Sequence, residues 1–180
     1  MMVTPLILHP HPNTPCPAVR ALAVDWAWVD ADILRLDYRL DANLAALRIP
    51  PRAAMPAARD GLWQHTCFEA FIAALDAPGY HEFNASPCGD FAAYVFAAER
   101  QRQMAVTLPA PQVSCQAADE GLQLRLEIPR PALPEGRAWQ LGLSAVIESA
   151  SGACSYFALA HPRPVPDFHA RAGWTARLSL

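Results

Sequence analysis

The sequence predicts an all-β fold, a single antiparallel β-sandwich of the immunoglobulin or jelly-roll kind spanning residues 1–180. Three observations carry this prediction. Apolar and polar residues alternate with period two through most of the chain, as half-buried strands require. Segments with the 3.6-residue periodicity of a helix are scarce. The 18 prolines cut the chain into short pieces, and many short strands separated by turn signals favour a sandwich.

Taken in order, Pro10, Pro12, Pro15 and Pro17 keep residues 1–17 extended and non-helical. Residues 21–29 place Leu22, Val24, Trp26 and Trp28 on one side of a strand. Residues 30–40 alternate Leu34, Leu36, Tyr38 and Leu40 with Ile33, Arg35, Asp37 and Arg39, a half-buried strand. The two read as a hairpin turning at residues 29–32. Pro50, Pro51 and Pro56 bracket a loop in which residues 53–59 are expected to form one helical turn. Residues 62–72 read as a strand, and Tyr80 to Pro87 contains the next. Residues 84–90 form a turn-rich connection tightened by Gly89 and Asp90. Residues 91–98 read as a strand because strands flank them. After a break at Pro109 and Pro111, residues 122–128 alternate leucine and isoleucine with Gln123, Arg125 and Glu127. Pro129, Pro131 and Pro134 precede a strand over 139–147. A late strand covers 154–159, and Pro162, Pro164 and Pro166 make the last break. None of these breaks is long or polar enough for an interdomain linker.

Composition excludes several classes. Apolar residues make up 53% of the 180, which argues against disorder. Net charge is −3 and the 14 basic residues, all arginine, are scattered. No basic stripe is present to neutralise phosphates, so no nucleic-acid partner is expected. No apolar run approaches a bilayer span, and no membrane partner is expected. The N-terminus lacks the basic and apolar regions of a signal peptide. The five cysteines, Cys16, Cys67, Cys88, Cys115 and Cys154, form no CxxC pair. Reduced thiols in a cytoplasmic protein are the expectation. Sandwich edge strands can pair, which leaves a homodimer open.

The chemistry-bearing residues concentrate in 63–72 and 80–87. On a strand over 62–72, Trp63, His65, Cys67, Glu69 and Phe71 share one face. An aromatic platform beside a carboxylate suits a sugar, whose C–H face covers the ring while its hydroxyls bond the carboxylate. The alternative is a core Trp63 and a Glu69 paired with an arginine, since a buried carboxylate needs a partner. On the next strand Tyr80, Glu82 and Asn84 share a face. Glu69 and Glu82 across neighbouring strands also fit a glycosidase pair. Cys67 and His65 lie two positions apart, roughly 7 Å by strand rise, too far for a Cys–His nucleophile. His161, Asp167 and His169 in the tail are close enough in sequence to ligate a metal or close a site. Residues of this kind in proline-rich turns more often bond backbone, and no metal site is expected.

These residues carry a resemblance. Leu62, Trp63, Thr66, Cys67, Phe68, Glu69 and Phe71 form its first block. Tyr80, Glu82, Phe83, Asn84, Ser86, Pro87, Gly89, Asp90, Tyr94 and Phe96 form the second. Tyr156 to Leu159 and Pro166 to His169 complete it. The set resembles the bacterial DOMON-like domains, which are similar to family 9 carbohydrate-binding modules. It covers about the last two-thirds of the chain. The resemblance implies one sandwich with a concave ligand face, a non-catalytic binding role and no catalytic residues. It implies a sugar ligand, with Trp63 stacking on the ring and Glu69, six residues later, bonding its hydroxyls. His65, Glu82, Asn84, Tyr94 and Tyr156 complete the expected ligand-binding set. The sugar-binding modules carry a second stacking Trp near the C-terminus. Here Tyr156 or Phe157 stands in that region, and Trp174 lies beyond it. Other relatives bind haem through Met, His or Lys. The chain has no lysine, and Met1, Met2, Met55 and Met104 fall outside the predicted strands. A haem cofactor would therefore rest on His65 and His81.

Overall fold

A computed structural model describes residues 4–118 and 120–180. Twelve strands run in chain order: β1 Leu6–Ile7, β2 His9–Pro10, β3 Val19–Val29, β4 Ile33–Ala42, β5 Cys67–Ala74 and β6 Tyr80–Ala85, then β7 Phe91–Phe96, β8 Gln112–Ala118, β9 Gly121–Pro129, β10 Ala138–Glu148, β11 Cys154–Ala158 and β12 Ala176–Ser179. They form two antiparallel sheets. The first has the order β1-β3-β4-β9-β8. The second runs β2-β11-β10-β5-β6-β7, with β12 also on β10. The all-β sandwich read from the alternation is the fold observed. No helix among the described residues is long and apolar enough to cross a membrane.

The alternating side chains account for the core. Leu34, Leu36, Tyr38 and Leu40 of β4 and Leu122, Leu124, Leu126 and Ile128 of β9 turn inward, all buried. They meet Phe68, Ala70 and Ile72 of β5, Phe83 of β6, and Leu141, Leu143, Ala145 and Ile147 of β10. Burying each large side chain contributes about 1.5–3 kcal/mol. The Tyr38 hydroxyl, which has no water to bond, donates to the Glu69 carbonyl at 2.8 Å. Trp28 of β3 ties the sheets at one end: its indole N–H donates to the Ser179 carbonyl at 2.9 Å. The β3–β4 hairpin turns where expected. Asp30 and Ala31 have φ of 51° and 59°, both left-handed, which matches the twist of the flanking strands.

β10 organises the second sheet because it is 11 residues long. On one edge it pairs β12 through its first half and β11 through its second. On the other edge it pairs β5 along its length. β5 is buried on both faces. Its inner face joins the main core. Over its outer face lies a second apolar cluster of Phe71, Ala73, Tyr80, Ala92, Tyr94, Phe96 and Trp174. The tail after β11 folds back to supply Trp174, which stacks on Phe71 at 5.6 Å. Gly142 leaves the room for it. A Cβ there would lie 2.2 Å from Trp174 Cδ1.

Two expectations need correction. The strand expected over 62–72 begins only at Cys67. Gly61 takes φ 78° and turns the chain into a 3₁₀ turn, Leu62–Gln64, so the alternation never reaches Trp63 or His65. Residues 53–59 form no helical turn. Ala53 N–H and Arg59 N–H instead donate to Cys88 and Phe91 carbonyls, which lays the segment along the start of β7. Of the N-terminal segment expected to be extended, residues 1–3 lie outside the described residues, and Leu6–Ile7 and His9–Pro10 each join a sheet.

Candidate binding cleft

The outer face of the second sheet is concave between β7 and the returning tail, and encloses a cleft of about 560 Å³. The sheet order sets its shape. Glu69 and Phe71 of β5, Glu82 of β6 and Val146 of β10 make the floor. Tyr94 and Phe96 of β7, with Arg100 and Arg102 beyond it, make one wall. Tyr156 of β11 and Pro166, Asp167, Phe168 and His169 of the tail make the other. Asp60, Gly61 and Trp63 form the rim.

Trp63 is 51% exposed. A large indole held open to water beside a cleft has lost its burial free energy in the free protein, which suits a surface that a ligand covers. The 3₁₀ turn after Gly61 is what lifts it out of the sheet.

The floor is electrostatically unusual. Glu69 is 2% exposed and Glu82 is 4% exposed. Burial and then the neighbouring Glu82 carboxyl push Glu69 well above the ordinary carboxylate range. Burial likewise pushes Glu82 up to about 7, although a hydrogen bond from Asn84 and the fields of Arg102 and Arg100 pull it partly back. Asn84 Nδ2 donates to Glu82 Oε1 at 3.0 Å. Asn84 and Ser144 flank Glu69 in register on β6 and β10. Glu69 Oε1, Asn84 Oδ1 and Ser144 Oγ all lack a hydrogen-bond partner while buried. Such atoms cost about 1–3 kcal/mol each, and of the three residues only Glu69 lines the cleft.

The tail wall is braced by a hydrogen-bonded chain. Tyr80 accepts the Arg100 backbone N–H at 3.1 Å and donates to His169 Nδ1 at 2.6 Å. His169 Nε2 then faces Glu82 Oε2 at 3.8 Å. Burial and then Arg100 depress the His169 imidazole to about 4, so the ring is neutral. Burial raises the Asp167 carboxyl, but Arg100 at 2.7 Å and Arg163 override this and hold it below its usual range.

Most of the residues expected to bind a ligand come together. Trp63, Glu69, Glu82, Tyr94 and Tyr156 all line the cleft, and Asn84 sits directly behind Glu82. His65 does not line it. Its Nδ1 lies 2.8 Å from Glu148 Oε2, and that bond, with one from Arg48, holds Glu148 below the usual carboxylate range despite burial. His81 points to the other side of β6, with Nδ1 2.7 Å from the Ala132 carbonyl. His65 and His81 therefore do not converge on the cleft. His161 bonds the His9 carbonyl at 2.8 Å, while Asp167 and His169 belong to the cleft wall. Among the described residues no group of three or more His, Cys, Asp or Glu is placed to hold a metal. The sequence reading missed Asp60, Arg100, Arg102 and Phe168. The clustered charges of residues 99–102 were the available signal for the two arginines. Phe168 stood in the block from Pro166 to His169, but nothing there showed that the tail folds back over the cleft. It packs edge-on to Tyr156 at 5.9 Å and supplies the aromatic wall opposite Tyr94.

No protein-family model matches the chain, and no curated protein does. Solved structures are similar in fold. One, from Bacteroides uniformis and described as a presumed carbohydrate-binding protein, is 17% identical, with a TM-score of 0.67 over 98% of this chain and 84% of that one. A family 9 carbohydrate-binding module from Caldicellulosiruptor kristjanssonii, in complex with cellotriose, is 8% identical, with a TM-score of 0.59 over 87% of this chain and 72% of that one. A family 9 module from the same organism in complex with glucose is 8% identical, with a TM-score of 0.52 over 77% and 66% of the two chains.

Proposed function

We propose that this protein is a non-catalytic carbohydrate-binding module of the DOMON-like kind, with the cleft as its sugar site. The observation that carries the proposal is Trp63, half exposed at the rim of a cleft floored by the buried Glu69 and Glu82. The indole offers a platform for the apolar face of a pyranose, and the carboxyls offer acceptors for its hydroxyls. The volume, about 560 Å³, falls in the range of small-molecule sites. Similarity in fold to modules solved with cellotriose and glucose supports the same reading.

Isothermal titration against a panel of mono- and disaccharides tests it. Saturable binding to at least one sugar, lost in Trp63→Ala, is the expected result. No heat across the panel, with Trp63→Ala indistinguishable from the native protein, rejects it.

A glycosidase reading has one observation in its favour, the pair of buried carboxyls on the floor. Against it, an acid/base pair needs environments that push the two groups apart. Glu69 and Glu82 are both pushed upward. Hydrolysis of aryl glycosides by the native protein, abolished in Glu69→Gln, would establish the enzymatic reading over the binding one.

A further inference from the structure

Four carboxylates line the cleft, and their partners divide them into two kinds. Asp60 has Arg102 at 3.3 Å, and Asp167 lies between Arg100 and Arg163. Glu69 and Glu82, the two on the floor, have no arginine partner among the described residues. His169, whose ring is neutral, lies 3.8 Å from Glu82, and Arg100 and Arg102 on the wall act on Glu82 only through their fields. Arg100 and Arg102 already have carboxylate partners, and Arg102 also lies over the Tyr94 ring at 4.0 Å.

The floor therefore presents two carboxyl groups with no arginine ion pair. Glu69 Oε1 is buried and, among the described residues, unpartnered. A neutral hydroxyl fills that acceptor but brings no positive charge to the pair. An ammonium supplies three donors and a positive charge together. Phe71, Tyr94 and Phe96 give the cleft an aromatic lining, and aromatic rings attract cations.

We infer that the cleft selects an amine-bearing sugar, its ammonium seated on Glu69 and Glu82 while Trp63 covers the ring. The inference rests on the carbohydrate-binding reading and names the class of sugar within it. N-acetylation removes the charge and adds bulk at the same atom, so the acetylated sugar is excluded. Because Glu82 holds a proton up to about pH 7, seating the ammonium near neutrality expels a proton from the pair.

The test is a calorimetric comparison of glucosamine, glucose and N-acetylglucosamine, and of their β-1,4-linked tetramers, on the native protein at pH 7. Glucosamine and its tetramer are expected to bind about tenfold or more tighter than the neutral sugars. The heat should vary with the ionisation enthalpy of the buffer, which reports the released proton. Glu69→Gln is expected to erase the preference for the amine, and its melting temperature establishes that it folds. Should that variant fail to fold, the sugar series on the native protein decides alone. Glucose binding as tightly as glucosamine, or the acetylated form binding more tightly, overturns the amine inference and leaves the carbohydrate reading standing. If none of the six ligands binds, the amine inference falls, and the wider saccharide panel decides the carbohydrate reading.

Discussion

Replacing Glu82 with glutamine separates two opposed pH effects that the native protein combines. Glu82 has its folded pKa raised from 4.5 to about 7. The folded state therefore holds a proton that the unfolded state has released between those values. Its stabilising contribution is complete below pH 4.5 and is lost as pH rises through 7. A change of that size corresponds to about 3 kcal/mol of folding free energy. His169 works the other way, because its folded pKa is depressed from 6.5 to about 4. Its contribution is complete above pH 6.5 and is lost as pH falls toward 4, again by about 3 kcal/mol. Over pH 4.5 to 6.5 the two slopes nearly cancel in the native protein, and above 6.5 the carboxyl acts alone. Glu82→Gln keeps the Asn84 contact and removes the titration. The assay is urea denaturation followed by tryptophan fluorescence at half-unit steps from pH 4 to 8. The free-energy difference between variant and native protein should shift by about 3 kcal/mol in favour of the variant across this range. A difference that stays constant within about 0.5 kcal/mol would show that Glu82 is not a destabilised, buried acid, and would refute the reasoning.

Gly142→Ala is expected to expel Trp174 from its stack on Phe71, because the new methyl would stand 2.2 Å from the indole. Overpacking of this kind costs about 1–3 kcal/mol, read as a lower melting temperature with altered near-ultraviolet circular dichroism. His65→Ala should leave sugar affinity within about twofold in calorimetry, since His65 bonds Glu148 rather than lining the cleft. Trp63→Ala should change stability by no more than about 0.5 kcal/mol in denaturant melts while removing binding, because the indole is 51% exposed. Tyr80→Phe should loosen the tail wall by freeing His169 Nδ1, raising the apparent His169 pKa followed by NMR titration of its ring protons.

The half-buried strands were the legible ones. Leu34 to Leu40 and Leu122 to Ile128 alternate strictly because one face meets the core and the other meets water. β8 escaped notice because it is an exposed edge. Only Val113 and Cys115 are partly buried in it, so its alternation has little contrast. Glu69, Glu82, Tyr94 and Tyr156 were legible as cleft residues because strand periodicity sends each to the outer face of one sheet. Trp63 reaches the same cleft by a different route, the left-handed Gly61, which periodicity does not encode. His65 illustrates the cost of extending the alternation too far back along β5. The contacts of Trp174 and Phe168 were not legible, because both are placed by the tail folding over β10 and β5, a contact between segments distant in the chain.

The most direct measurement of the central claim is an NMR titration of the isotopically labelled protein with the sugar panel. Binding in the cleft predicts saturable shifts of the Trp63 indole N–H and of backbone amides at Glu69, Glu82 and Tyr94, with β8 and β9 unmoved. Shifts confined to the β1-β3-β4-β9-β8 sheet, or none with any sugar, would contradict it.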